Sequence, residues 1–146
     1  WDIVDDTYNA NPLSMARMLD AAAESAQKRP FVVVLGEMRE LGSVADREHE
    51  RLGRHLAQLR PVLVFWRGGH ADAVRDGLEH GLYSGKFLPV DSGEAFVQAL
   101  REHLPADAGE QGGLMLFKGS RGNHLEELLE ALEQSDWLPG SRTESL

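Results

Sequence analysis

The sequence predicts an α/β fold: a mostly parallel sheet of about five to six strands with helices on both faces, in three layers. Short β-rich apolar runs alternate with longer helical periods along the chain. The run Phe31-Val32-Val33-Val34-Leu35 is continuously apolar rather than alternating, as befits a strand covered on both faces. Glycine or polar residues separate the clearest strand runs from the helical stripes that follow, the punctuation of βα units.

Taken in order, Ile3-Val4 is the first strand, running into Asp5 and Asp6. Asn11 caps the next helix, with Pro12 at its first position, where a missing N–H costs nothing. Met15, Met18, Leu19 and Ala22 form its inner stripe down to about Gln27, with Arg17, Asp20 and Glu24 outside. After the strand at residues 31–35, Ser43 starts a second helix with Asp46 in its first turn and Leu52, Leu56 and Leu59 facing inward. Residues 62–66 form the third strand, ending at Gly68-Gly69, and Ala71, Val74 and Leu78 mark a short helix. Phe87-Leu88-Pro89-Val90 is a weaker strand whose proline predicts an edge or a strand end. Ser92 caps a helix carrying Phe96, Ala99 and Leu100, and residues 106–113 read as a loop. Residues 114–117 are the last clear strand. The final helix, with Leu125, Leu128, Leu129 and Leu132, is predicted to be capped by Asn123, with Glu126 three residues on. Residues 136–146 contain Pro, Gly and Ser and are expected to form a flexible tail, leaving 1–135 as the domain.

At 146 residues the chain suffices for one domain, and its 42% hydrophobic and 27% charged content is globular in character. Its net charge is −9, with 24 acids against 15 Lys and Arg, and the cations are scattered among the acids. A phosphate-backbone binder needs clustered cations, so nucleic acid and anionic membrane surfaces are poor partners. No apolar run approaches the roughly 20 residues of a spanning helix, and no charged-then-apolar leader stands at the start. A strand at the very beginning, with no start methionine, predicts a piece of something longer. The sequence has no cysteine, which excludes disulfides and thiolate metal sites.

In a parallel sheet every strand-to-helix loop lies at the carboxyl edge, where such sheets bind ligands. Three of these loops are chemically rich: Asp5-Asp6-Thr7-Tyr8-Asn9-Ala10-Asn11, Gly36-Glu37-Met38-Arg39-Glu40-Leu41-Gly42, and Lys118-Gly119-Ser120-Arg121. Together they bring carboxylates, amides, cations, a hydroxyl and glycine N–H groups to one rim. That set suits a zwitterionic or phosphorylated ligand. Each group also has a plainer reading as helix cap, turn glycine or solvated charge, and only their sharing of one edge favours a site. The histidines show no metal-ligand spacing, and His49 between Glu48 and Glu50 reads as an exposed helix face, so no metal site is predicted.

These three motifs, extended to Pro12-Leu13-Ser14 in the first and Val34-Leu35 in the second, resemble the C-terminal domain of the Mur ligases over about residues 2–133. His49 and Gly53 fall where that family has a similar His…Gly pattern. The second motif is most similar to the members that add D-alanyl-D-alanine to UDP-N-acetylmuramoyl-tripeptide. The resemblance implies a Rossmann-like domain of a three-domain, cytoplasmic bacterial enzyme of peptidoglycan synthesis. In such an enzyme an N-terminal domain holds the UDP-sugar and a central domain carries the phosphate loop. ATP phosphorylates the substrate carboxylate, and the dipeptide amine attacks the resulting acyl phosphate. Carried onto this chain, the resemblance makes Asp6 the anchor for the ATP ribose hydroxyls and places Tyr8, Asn9 and Asn11 at the junction with the central domain and the dipeptide. It gives Lys118, Ser120 and Arg121 to the dipeptide carboxylate, Gly119 to close backbone approach, and Glu37 to the neighbourhood of the amine. No Gly-x-x-Gly-Lys-[Ser/Thr] occurs in the chain. The resemblance therefore leaves the ATP phosphates and Mg²⁺ to the central domain, and the piece alone is expected to be inactive.

Three other fold-compatible readings fit less well. A receiver-like signalling domain needs a phosphoacceptor aspartate after the third strand, where this chain has Phe65-Trp66-Arg67-Gly68. A dinucleotide-binding domain needs Gly-x-Gly-x-x-Gly in the first loop, and residues 5–12 contain no glycine. A non-catalytic α/β interaction domain would leave three polar loops on one edge without a purpose.

Overall fold

The computed structural model describes residues 1–138 and the backbone of 142–145. Six strands, β1 (Asp2–Asp6), β2 (Phe31–Gly36), β3 (Leu63–Arg67), β4 (Lys86–Pro89), β5 (Leu114–Lys118) and β6 (Arg142–Ser145), form one sheet in the order β4-β3-β2-β5-β1-β6. Every neighbouring pair is parallel. Pro89 closes β4 at the sheet edge, where a missing N–H breaks no ladder.

Strand residues alternate between two cores. Val33, Leu35, Val64, Trp66 and Leu116 face α1 (Pro12–Ala26), α2 (Ala45–Leu59) and α3 (Ala71–His80), through Met15, Leu19, Leu56, Val74 and Leu78. Val32, Val34, Phe65, Met115 and Phe117 face α4 (Gly93–His103), the short α5 (Ala108–Gln111) and α6 (Glu126–Gln134), through Phe96, Leu100, Leu128 and Leu132. Burial on both sides explains why β2 is apolar throughout. On the first face α2 and α3 touch backbone to backbone: a Cβ on Gly53 would overlap the carbonyl of Val74, and one on Gly77 the carbonyl of Glu50. No helix among the described residues is long and apolar enough to cross a membrane.

The capping of α1 by Asn11 and of α4 by Ser92 is as predicted: each side chain accepts from the backbone N–H three residues on. Other expectations need correction. Ser43 lies in a 3₁₀ turn (Gly42–Val44) ahead of α2 and makes no cap. Residues 108–111 are helical rather than loop, because the Trp1 indole donates to the Ala108 carbonyl at 2.7 Å and Gly109 packs on Trp137. Asn123 does not cap α6, which begins at Glu126 behind Leu125; it closes a 3₁₀ turn (Arg121–Asn123) instead. His49 is fully buried, not on an exposed face.

The tail does not fray throughout. Trp137 is buried against Trp1, ring centroids 5.4 Å apart, and Arg142–Ser145 extends the sheet beside β1. A large apolar side chain outweighs the Pro/Gly/Ser composition around it. The flexible tail expected at residues 139–141 and 146 lies outside the described residues.

Candidate functional site

Since β2, β5 and β1 are consecutive in the sheet, their three carboxyl-end loops are neighbours. Asp6 and Lys118 are register partners across β1 and β5. The Lys118 ammonium donates to Asp6 Oδ2 at 2.7 Å and to the Asn9 carbonyl at 3.0 Å. Lys118 is only 2% exposed, so this cation is satisfied from within the chain. It was expected to meet a ligand carboxylate; instead it fixes the first loop and orients Asp6. Among the described residues no hydrogen bond reaches Asp6 Oδ1, and the Asp6 side chain is partly exposed.

Around this pair, Thr7 donates to Asp5 Oδ1 at 2.9 Å, and Asn11 is committed to capping α1. Tyr8 projects from the loop, 66% exposed, with the Arg121 guanidinium 4.3 Å above its ring. The first and third loops are thus joined twice, once by charge and once by cation–π stacking.

The third loop is organised by Asn123. Its Oδ1 accepts from the Ser120 N–H at 2.8 Å and from the Ser120 hydroxyl at 3.0 Å. A Cβ on Gly119 would come within 2.6 Å of Leu125 Cδ1 and 2.8 Å of Asn123 Oδ1. Glycine at 119 therefore serves the chain's own packing, rather than the ligand approach expected of it. Arg39 of the second loop reaches the Gly122 carbonyl at 3.4 Å and sits 3.8 Å from Glu37.

The second loop is held from below. His49 Nε2 accepts the Met38 N–H at 3.0 Å, while Nδ1 donates to the Ala45 carbonyl at 2.7 Å. The ring lies edge-on to Trp66 and stacks on His70 at 4.5 Å. Burial pushes its pKa below the ordinary value, so the neutral ring is the resident form. The end of β3 joins the group through Arg67, which donates to the carbonyls of His124 (2.7 Å) and Asp91 (3.1 Å) and to Glu127 (2.8 Å). That bond from Arg67 lowers the Glu127 pKa.

Asp6, Tyr8, Asn9, Lys118, Ser120 and Arg121 thus form one connected rim, with Glu37 beside it. Sequence reasoning missed His49, Arg67 and Asn123 as its supports. His49 was detectable, because 49, 52, 53 and 56 continue the inward stripe of α2.

A parallel α/β domain with polar loops gathered over adjacent strand ends is a ligand-binding domain of the doubly wound class. Residues 1–121 match the Mur ligase glutamate ligase domain, and the chain belongs to the Mur ligase family. Its relatives include UDP-N-acetylmuramoyl-tripeptide--D-alanyl-D-alanine ligases from Bacillus subtilis (30% identical, 91% of this chain, 28% of the relative) and Mycobacterium tuberculosis (34%, 92% and 29%). The fold superimposes on MurF ligase from Thermotoga maritima in complex with ADP, with TM-score 0.70 and 29% identity, covering 90% of this chain and 28% of that one. MurF from Acinetobacter baumannii gives TM-score 0.64 at 34% identity, with 88% and 27% covered. The chain therefore spans a little over a quarter of the length of these relatives.

Proposed function

We propose that this chain is the C-terminal, amino-substrate domain of an ATP-dependent ligase of the bacterial cytoplasm. The reaction joins D-alanyl-D-alanine to UDP-N-acetylmuramoyl-tripeptide through an acyl phosphate. The observation that carries the reading is the joining of the β1 and β5 loops by Lys118–Asp6 and Arg121–Tyr8, and its support is the likeness to ligases of that name over nine-tenths of the chain.

The residues present fit one end of the nucleotide. Asp6 Oδ1, without a hydrogen-bond partner among the described residues and oriented by Lys118, can accept a ribose hydroxyl. No Gly-x-x-Gly-Lys-[Ser/Thr] segment is available for the phosphates, so these and Mg²⁺ are assigned to a central domain outside this chain. When bound, ATP supplies the phosphoryl group that activates the tripeptide carboxylate. This domain positions the amine. Arg121 receives the dipeptide carboxylate, the Ser120 hydroxyl being committed to Asn123 Oδ1 and so holding the loop that carries Arg121, and Glu37 lies on the side of its ammonium. Tyr8 (66% exposed) and Leu13 (59%) are apolar groups facing out from the same loop and the start of α1, suited to being covered by the central domain. Holding amine and acyl phosphate together is the domain's contribution to rate, and the domain alone is inactive.

The test is steady-state kinetics of the intact ligase. Asp6→Ala and Lys118→Ala raise the KM for ATP, while Arg121→Ala raises the KM for D-alanyl-D-alanine roughly 10- to 100-fold, the worth of one charge-assisted bond. Unchanged dipeptide kinetics in Arg121→Ala would refute the site.

A further inference from the structure

The loop after β3 ends in a histidine held at an uncommon backbone angle. His70 stands ahead of α3 with a φ of 62°, in the left-handed region that residues with a Cβ rarely adopt. Its ring is fixed twice. One face stacks on the buried His49, ring centroids 4.5 Å apart, and Nδ1 lies 2.9 Å from Asp46 Oδ1. A carboxylate only accepts, so Nδ1 carries a proton; in the neutral ring Nε2 is then a bare lone pair turned away from Asp46. No hydrogen bond among the described residues reaches it. Nor is it sealed in, since Asn123 Nδ2 is the unpartnered side-chain atom that solvent does not touch. His55 and His80 also meet carboxylates, but midway along α2 and at the far end of α3. His70 instead walls an open cleft of about 480 Å³ together with Glu37, residues 38–42 and Ala45. Glu37 approaches the same corner: a Cβ on Gly69, the neighbour of His70, would meet Glu37 Oε2 at 3.0 Å. An acid-oriented imidazole with a free nitrogen and a carboxylate therefore share one space.

We propose that His70 is the general base that takes a proton from the amino substrate, with Glu37 holding the ammonium and Asp46 orienting the ring. The inference rests on the proposed ligase reading and adds a catalytic residue to that site. An ammonium has no lone pair and cannot attack. Glu37 steadies its charge, but a carboxylate is too weak a base to discharge it, whereas imidazole is matched to proton transfer near neutral pH. Nε2 takes one proton, leaving a neutral amine and an imidazolium beside Asp46. The amine nitrogen bonds to the acyl carbon, the bond from that carbon to the phosphate oxygen breaks, and the second nitrogen proton leaves with the phosphate. His70 then returns its proton to the solvent into which the cleft opens. His49 stays neutral beneath the ring, so the imidazolium meets no second cation there.

His70→Asn isolates the role in the intact ligase. Asparagine tolerates the left-handed backbone, and its amide nitrogen stands where Nδ1 stood, so the bond to Asp46 is kept and the base is lost. Hydroxylamine is the control nucleophile, because it is mostly unprotonated at neutral pH and needs no base. Single-turnover transfer to D-alanyl-D-alanine should slow about 100-fold or more. Hydroxamate formation from the same acyl phosphate, the KM for ATP and the thermal midpoint should change little. Unchanged dipeptide transfer overturns the assignment. So does an equal loss toward both nucleophiles, which would make His70 a peg between α2 and α3. Asp46→Ala gives a second reading with the ring left in place, at a side chain 86% exposed and so of little weight in the fold. Dipeptide transfer should fall severalfold with hydroxamate formation unchanged; no fall, or an equal fall in both, overturns the dyad. If the unmodified ligase forms no hydroxamate with ATP and the tripeptide substrate, the ligase reading itself fails, an outcome distinct from these.

Discussion

Lys118 and Asp6 face each other across two neighbouring strand ends, 2.7 Å apart, with the lysine sealed from solvent and the aspartate partly open. Removing the cation leaves Asp6 and the Asn9 carbonyl without their donor. Lys118→Met should therefore lower stability by about 1–3 kcal/mol, less than for a fully buried pair because water reaches Asp6. Adding Asp6→Asn should recover part of the loss. Denaturant midpoints of the two single variants and the double variant measure the coupling; strict additivity would mean the pair contributes nothing.

His49 makes the fold sensitive to acid. A proton on Nε2 would point at the Met38 N–H, so the native state requires the neutral ring. Burial places the folded pKa below the ordinary 6.5. The stabilisation is complete above that ordinary value and is lost as pH falls below it toward the folded one, by at most about 1.4 kcal/mol per pH unit. Glu37 and Asp46 oppose the shift and the neighbouring His70 adds to it. Thermal midpoints between pH 7.5 and 5 should fall more steeply in the native protein than in His49→Gln; parallel curves would exclude His49 as the source.

Gly53 and Gly77 allow α2 and α3 to cross at backbone contact. Alanine at either position gains about 1 kcal/mol of helix propensity. It must also push two helices apart, because what a new Cβ would meet is backbone rather than a movable side chain. Overpacking should win, with a net loss of about 1–3 kcal/mol, read from urea unfolding.

Trp137 anchors the segment after α6. Trp137→Ala removes its ring contact with Trp1, while the Trp137 backbone over Gly109 stays. A loss of about 3 kcal/mol is expected, together with faster proteolytic trimming after residue 135. Cleavage rates equal to those of the native chain would contradict this anchoring.

Short continuous apolar runs set against a helical period of 3.6 made five strands and the main helices legible, because each is encoded by its own residues. Strand order was not, since the pairing of β1 with β5 joins residues more than a hundred positions apart and leaves no local trace. The site's polar loops were legible for the same reason as the strands. What holds them was misread where a local rule competed with tertiary packing. Asn123 and Glu126 have the spacing of a capping box, but Ser120 and Asn123 form the one that is made. Glu48 and Glu50 suggested solvent around His49, although the 3.6 period turns His49 alone inward. Trp137 was lost in a polar context whose composition says nothing about a single large ring.

The place of β1 in the sheet has a consequence for biosynthesis. Both of its neighbours, β5 and β6, come from the far end of the domain. On the ribosome the first strand emerges with nothing to pair against until residue 114 and beyond have been made. Until then Asp5 and Asp6 hang from an unzipped ribbon, and the rim they belong to is assembled only once Lys118 has been made and can meet them.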